Sequence, residues 1–171
     1  MKHLTAANYK VMPWANGRGQ TVEMCRVDRD GALLWRLSRA SVVEDGAFSV
    51  LPGIARNLTV ISGPGFDLVG DGVALRCDPL VPVAFDGGVA VTAAGVVTPS
   101  DDFNVMTARG VPLPAVLVVR GETVMTAGGT LCVYALGPVR VNGVDAAEHD
   151  LITTQGGVAV TGQAIVVRMF V

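Results

Sequence analysis

WRLSRASVVEDGAFSVLPGIARNLTVISG, residues 35–63, is the stretch whose reading decides the fold. With the two residues before it, it reads as a strand from Leu33 to Val42, a turn at Glu44-Asp45-Gly46 and a short strand from Ala47 to Leu51. A Pro52-Gly53 corner follows, then a strand from Arg56 to Ser62 that ends at Gly63-Pro64-Gly65. In the first strand Leu33, Trp35 and Leu37 form one face, which leaves Arg36, Ser38 and Ala40 on the other. Arg36 and Arg56 interrupt an otherwise apolar β framework. A guanidinium keeps its proton, and a buried charge without a partner is very costly, so each arginine has to reach water or an anion. The stretch therefore predicts a pocket whose occupant is a carboxylate or a similar anion.

The same pattern continues on both sides. Leu4 to Val11 reads as an edge strand, and Pro13 to Gly19 as an ordered, irregular loop. Gln20 to Val27 reads as a strand with Thr21 and Glu23 on one face. Beyond Gly63, short apolar runs alternate with Asp71-Gly72, Asp86-Gly87-Gly88, Gly128-Gly129, Asn142-Gly143 and Gly156-Gly157. Asn142-Gly143 is a two-residue hairpin signal. No segment keeps a capped 3.6-residue apolar period, so the chain is all-β. Roughly fourteen or more strands exceed the eight of one jelly roll, which predicts two jelly-roll barrels packed in one compact chain. The expected halves are residues 1–97 and 115–171, with 98–114 as a non-strand connector that Phe103, Val105 and Met106 pack back onto the barrel.

Composition removes several function classes. The chain has 171 residues, half of them hydrophobic, and a net charge of -2. It has no basic run, so no nucleic-acid partner is expected. Cys25, Cys77 and Cys132 are odd in number and widely spaced, which fits free thiols better than a disulfide framework or a zinc site. The first ten residues lack a signal-peptide core, and no window reaches the roughly 20 apolar residues of a membrane helix. A cytoplasmic protein without a membrane partner is the expectation. The glycines of the Pro13 to Gly19 loop precede no helical pattern, which rules out a phosphate-binding loop there.

A succession of motifs resembles the HutD family, also called HutD/Ves, of bicupins encoded with histidine-utilisation enzymes in many bacteria. The matching residues are Pro13-Trp14, Asn16-Gly17, Gly19, Thr21 and Glu23, then Trp35-Arg36-Leu37-Ser38, Asp45-Gly46, Phe48-Ser49 and Pro52-Gly53 with Arg56. Phe85 with Gly87, Asp102-Phe103-Asn104-Val105-Met106 and Arg109-Gly110 complete them. The resemblance implies two cupin barrels in one chain. It also implies a part in histidine catabolism, sensing or buffering a pathway acid such as formylglutamate or urocanate.

Cupin enzymes commonly hold a metal with several histidines and a glutamate, whereas this chain has only His3 and His149. By the resemblance, Arg56 stands where a metal-binding cupin carries its glutamate. No metal and no cofactor are expected. The expected ligand site has Arg56 as the carboxylate clamp with Arg36 beside it. Glu23, Thr21, Ser38, Asn16 and Asn104 serve as polar partners, and Trp14 and Met106 as apolar wall. Equally open is a bracing role, in which Arg56 pairs with Glu23 or Arg36 with Asp102. Glu148-His149-Asp150 reads as a solvated turn, and two histidines leave little room for a catalytic triad.

The residues favour a non-enzymatic binder of a small carboxylate metabolite. The alternative is a metal-independent isomerase or hydrolase acting on a small carboxylated metabolite or sugar, with Glu23 as general base. Exposed barrel edges add the expectation of a homodimer.

Overall fold

β-branched and aromatic residues in alternation, cut by glycine-centred turns, give short strands joined mostly by tight connections. The computed structural model describes residues 1–14, 17 and 19–171. Its strands are β1 (Lys2–Leu4), β2 (Lys10–Pro13), β3 (Gln20–Arg29), β4 (Ala32–Val42), β5 (Gly46–Ala47), β6 (Ile54–Ser62), β7 (Phe66–Gly70), β8 (Val73–Cys77), β9 (Val83–Asp86) and β10 (Val91–Ala94). They continue as β11 (Ser100–Ala108), β12 (Ala115–Val119), β13 (Glu122–Met125), β14 (Thr130–Ala135), β15 (Val139–Val141), β16 (Val144–Ala146), β17 (Leu151–Thr154), β18 (Val158–Thr161) and β19 (Ala164–Met169). No helix among the described residues is long and apolar enough to cross a membrane.

The chain divides into two compact units, one of residues 10–110 and one of residues 1–9 with 111–171. The first holds a six-stranded sheet in the order β2-β3-β4-β11-β6-β9 and a four-stranded sheet in the order β5-β10-β7-β8. Val42, Leu58, Val60, Phe66, Leu68, Phe85 and Val91 fill part of its interior. The second holds a five-stranded sheet, β1-β17-β14-β19-β12, and a four-stranded sheet, β13-β18-β15-β16. Its core consists of aliphatic side chains such as Leu131, Val133, Val141, Ile152, Val160 and Val166. Among the described residues, the sheets of neither unit join into a closed barrel.

Several expectations change. The segment read as a connector, 98–114, contains β11, which pairs with both β4 and β6 at the middle of the six-stranded sheet. Its polar residues Asp101, Asp102 and Asn104 suggested a loop, yet they fall between apolar residues that both neighbouring strands cover, and tertiary packing overrides local propensity. The expected edge strand from Leu4 to Val11 is two strands, β1 and β2, separated by a 3-10 turn at Ala6–Asn8. The expected strand from Ala47 to Leu51 shrinks to the two residues of β5. The Asn142-Gly143 hairpin forms as read: Val141 pairs with Val144, and both turn residues have positive φ, 50° and 81°.

Candidate functional site

The register of the six-stranded sheet builds the site. Arg36 on β4, Met106 on β11 and Arg56 on β6 are directly paired in one row, with Phe85 of β9 next to Arg56. The next row on the same face is Glu23, Ser38, Asn104 and Leu58, and the one after it is Thr21, Ala40, Asp102 and Val60. Side chains two residues apart on a strand share a face, so all three rows present their side chains together.

Arg36, Met106 and Arg56, Ser38 and Asn104, and Thr21, Ala40 and Asp102 of these rows floor a cavity of about 550 Å3. Its lining includes Trp14, Thr21, Arg36, Ser38, Arg56, Asn104 and Met106, seven of the nine residues expected from sequence. Of the other two, Asn16 lies outside the described residues. Glu23 is not a lining residue: its Oε2 stands 3.7 Å from Arg36 Nη1. The sequence reading missed Asp102 as a lining group, and it missed Phe48, Ser49 and Leu51, which the segment after β5 brings to the opposite wall. A strand expected from Ala47 to Leu51 concealed that wall.

The two arginines are held differently. Arg56 is 7 % exposed, and its guanidinium carbon lies 5.2 Å from the Phe48 ring centroid and 5.1 Å from that of Phe85. Its Nη2 donates to Asn104 Oδ1 at 3.0 Å. Asn104 Nδ2 in turn donates to Asp102, so both ends of this amide are used within the protein. Asn104 thus positions Arg56 while itself lining the cavity. Arg36 donates from Nη2 to the Met106 sulfur at 3.4 Å, a soft contact, besides its loose pairing with Glu23. The Nε atoms of both arginines are buried with no hydrogen-bond partner among the described residues. Glu23 faces Arg36 rather than Arg56, because it is two strands nearer to Arg36, and Arg56 reaches Asp102 only through Asn104.

Electrostatics follow from burial. Desolvation lowers Arg56 to about 10, offset in part by Asp102 and reinforced by the like charge of Arg36. It remains a cation at neutral pH. Burial likewise lowers Arg36, against the pull of Glu23. Asp102 is pushed up to about 7 by burial, with Arg56 and the Asn104 hydrogen bond pulling the other way.

Trp14 is fixed by donating from Nε1 to Thr21 Oγ1 at 2.9 Å. Gly19 lies against the indole: a Cβ there would fall 2.8 Å from two ring carbons, so the loop needs a residue without one. Away from the cavity, His149 is more tied down than a solvated turn implies. Its Nδ1 meets Tyr134 Oη at 2.8 Å, and its carbonyl accepts from Tyr9 Oη at 2.8 Å. Cys77 and Cys132 are buried thiols and Cys25 is half-buried, none of them in a disulfide among the described residues, with burial pushing the Cys77 thiol up to about 12. Among the described residues no group of three or more His, Cys, Asp or Glu side chains is placed to hold a metal.

Comparison with known proteins places this geometry in a family. An uncharacterised 21.2 kDa protein of Pseudomonas putida, encoded in the hutC 3′ region, is 39% identical over 108 residues, which are 60% of this chain and 56% of that protein. The chain thus matches little more than half the length of that curated relative. The structure of HutD from Pseudomonas fluorescens SBW25, solved in a formate condition, is 31% identical with a TM-score of 0.89, covering 98% of this chain and 96% of that one. A conserved protein of unknown function from Pseudomonas aeruginosa PAO1 is 29% identical with a TM-score of 0.84, covering 97% and 95%. The HutD family model matches residues 6–168, and the chain belongs to the HutD family.

Proposed function

We propose that this chain binds a small carboxylate metabolite in the cavity of the 10–110 unit and serves histidine utilisation as a sensor or regulator rather than as an enzyme. The observation that carries the reading is the caging of Arg56. With phenyl rings against its guanidinium and Asn104 on one Nη, the fork is held rigid beside an open cavity. A planar fork held in this way is suited to two parallel hydrogen bonds to a carboxylate. Trp14, Phe48, Leu51 and Met106 offer apolar surface to the remainder of such a ligand, which is the usual make-up of a small-molecule site. Glu23, the base an enzyme reading would require, is directed to Arg36 and does not line the cavity, which favours binding over turnover. We read the two units as the two cupin-like jelly rolls of a bicupin.

The histidine connection rests on family membership and on the hutC-region relative. Formylglutamate and urocanate are the candidate ligands. The test is a thermal-shift panel on the purified full chain with formylglutamate, urocanate, histidine, glutamate and their neutral amides. A ligand specific for the native state at a hundredfold excess over its Kd adds about 2.7 kcal/mol of stability. One acid should raise the melting temperature while its amide does not. No shift with any acid, or equal shifts with acid and amide, overturns the reading.

A further inference from the structure

We propose that an anion bound at Arg56 brings a proton with it, taken up by Asp102, so that the cavity receives its ligand as one carboxylate plus one proton. This rests on the carboxylate-binding reading and adds to it a charge rule for the ligand and a sensitivity to pH.

Asp102 lines the cavity yet is only 1 % exposed. The hydrogen bond it receives comes from Asn104, a neutral amide, and no ion pair among the described residues involves it. Asn104 stands between it and Arg56, accepting from the guanidinium with its oxygen and donating to Asp102 Oδ1 with its nitrogen. The charged and titratable groups around Asp102 are Arg56 from β6, Asp101 from its own strand and Cys77 from β8. Glu23 is one row away on the sheet and Arg36 two rows away.

The two arginines, Glu23 and Asp102 sum to zero when both acids are ionised. A ligand carboxylate then adds a net negative charge to a site walled by Phe48, Trp14 and Met106, and it shares Arg56 with a second carboxylate. Where two carboxylates share one site, the charge of each disfavours ionisation of the other, and one of them holds a proton to higher pH. The ligand is the more exposed of the two and holds the direct contact to the fork, so the proton goes to the buried partner. Burial has already moved Asp102 to about 7, and the ligand's negative charge raises it further in the complex. The step balances as ligand carboxylate plus one solvent proton plus protein giving the complex, with no other reactant.

Formate is the probe, because it stays ionised throughout the working range and has no second titrating group. Binding to the full chain is followed by chemical-shift titration at pH 6.0 and pH 8.5, and proton uptake is read directly by pH-stat when neutralised formate is added to unbuffered protein. The expected result is an affinity about tenfold or more weaker at pH 8.5 than at pH 6.0, with close to one proton taken up per formate at the higher pH. In Asp102→Asn the pH dependence and the uptake should both vanish. Equal affinities and no uptake, with binding still lost on replacing Arg56, overturn the proposal and leave carboxylate binding standing. No binding at either pH overturns both. Should Asp102→Asn not fold, proton uptake by the unaltered chain decides alone.

Discussion

Replacing Arg56 with methionine is expected to remove carboxylate binding while leaving the melting temperature within a few degrees of the unaltered protein. Losing one partner of a close charge-assisted contact costs about 2–5 kcal/mol, or roughly thirtyfold to several thousandfold in Kd. Stability behaves differently because two contributions oppose each other. Methionine forgoes the contacts to Phe48 and Phe85 and leaves Asn104 Oδ1 without its donor, a loss of about 1–3 kcal/mol. It also removes a guanidinium whose burial is unfavourable, and apolar replacement of buried charges is often neutral or stabilising. Arg56→Lys should also bind poorly, since it keeps the charge and loses the fork. Titration calorimetry and a melt on the same preparations check both halves. Affinity retained in Arg56→Met would transfer the clamp to Arg36.

Asp102→Asn should be more stable than the unaltered chain at pH 7 and above, by about 4 kcal/mol at most, with the difference shrinking to nothing near pH 4. The sign follows from the raised carboxyl. Below its ordinary value of 3.8 the group is protonated in both folded and unfolded chains and changes nothing. As the pH rises, the unfolded chain gives up its proton first, and the native state is progressively penalised until its own group ionises near 7. About three pK units at 1.36 kcal/mol each set the ceiling. Asparagine keeps the shape and has no proton to lose. For a chain of this length the difference is on the order of 10 °C in melting temperature. Parallel melts from pH 4 to 8 check it, and curves that stay parallel would mean that Asp102 titrates in its ordinary range.

Much of this site is written in residue order. Arginines inside apolar alternation at Arg36 and Arg56, and the two-residue spacing of Thr21 and Glu23, already imply a polar face on a β framework. What sequence lacks is the row structure across strands. Met106 falls between the two arginines only because β11 inserts between β4 and β6, a pairing separated by dozens of residues on either side. The acidic start of that strand hides it as a loop, so that Asp102 reads as a partner bracing Arg36 when it is a buried acid. Phe48 escaped notice for a related reason: as part of a supposed strand it had no assigned face, whereas as part of the segment after β5 it turns onto Arg56.

The central place of β11 has a dynamic consequence. A strand hydrogen-bonded on both sides in the middle of a six-stranded sheet opens only when the sheet does, so the amides of Asp102, Asn104 and Met106 belong with the slowest to exchange with deuterium. The opposite wall, Phe48 to Leu51, follows a two-residue edge strand and is tied at its ends by Phe48 N–H to Val91 O and Leu51 N–H to Gly87 O, so the exposed Ser49 and Val50 amides belong among the fast ones. A bound carboxylate should leave the floor's exchange unchanged and slow that of the wall, which would identify the wall as the side that yields when the ligand enters.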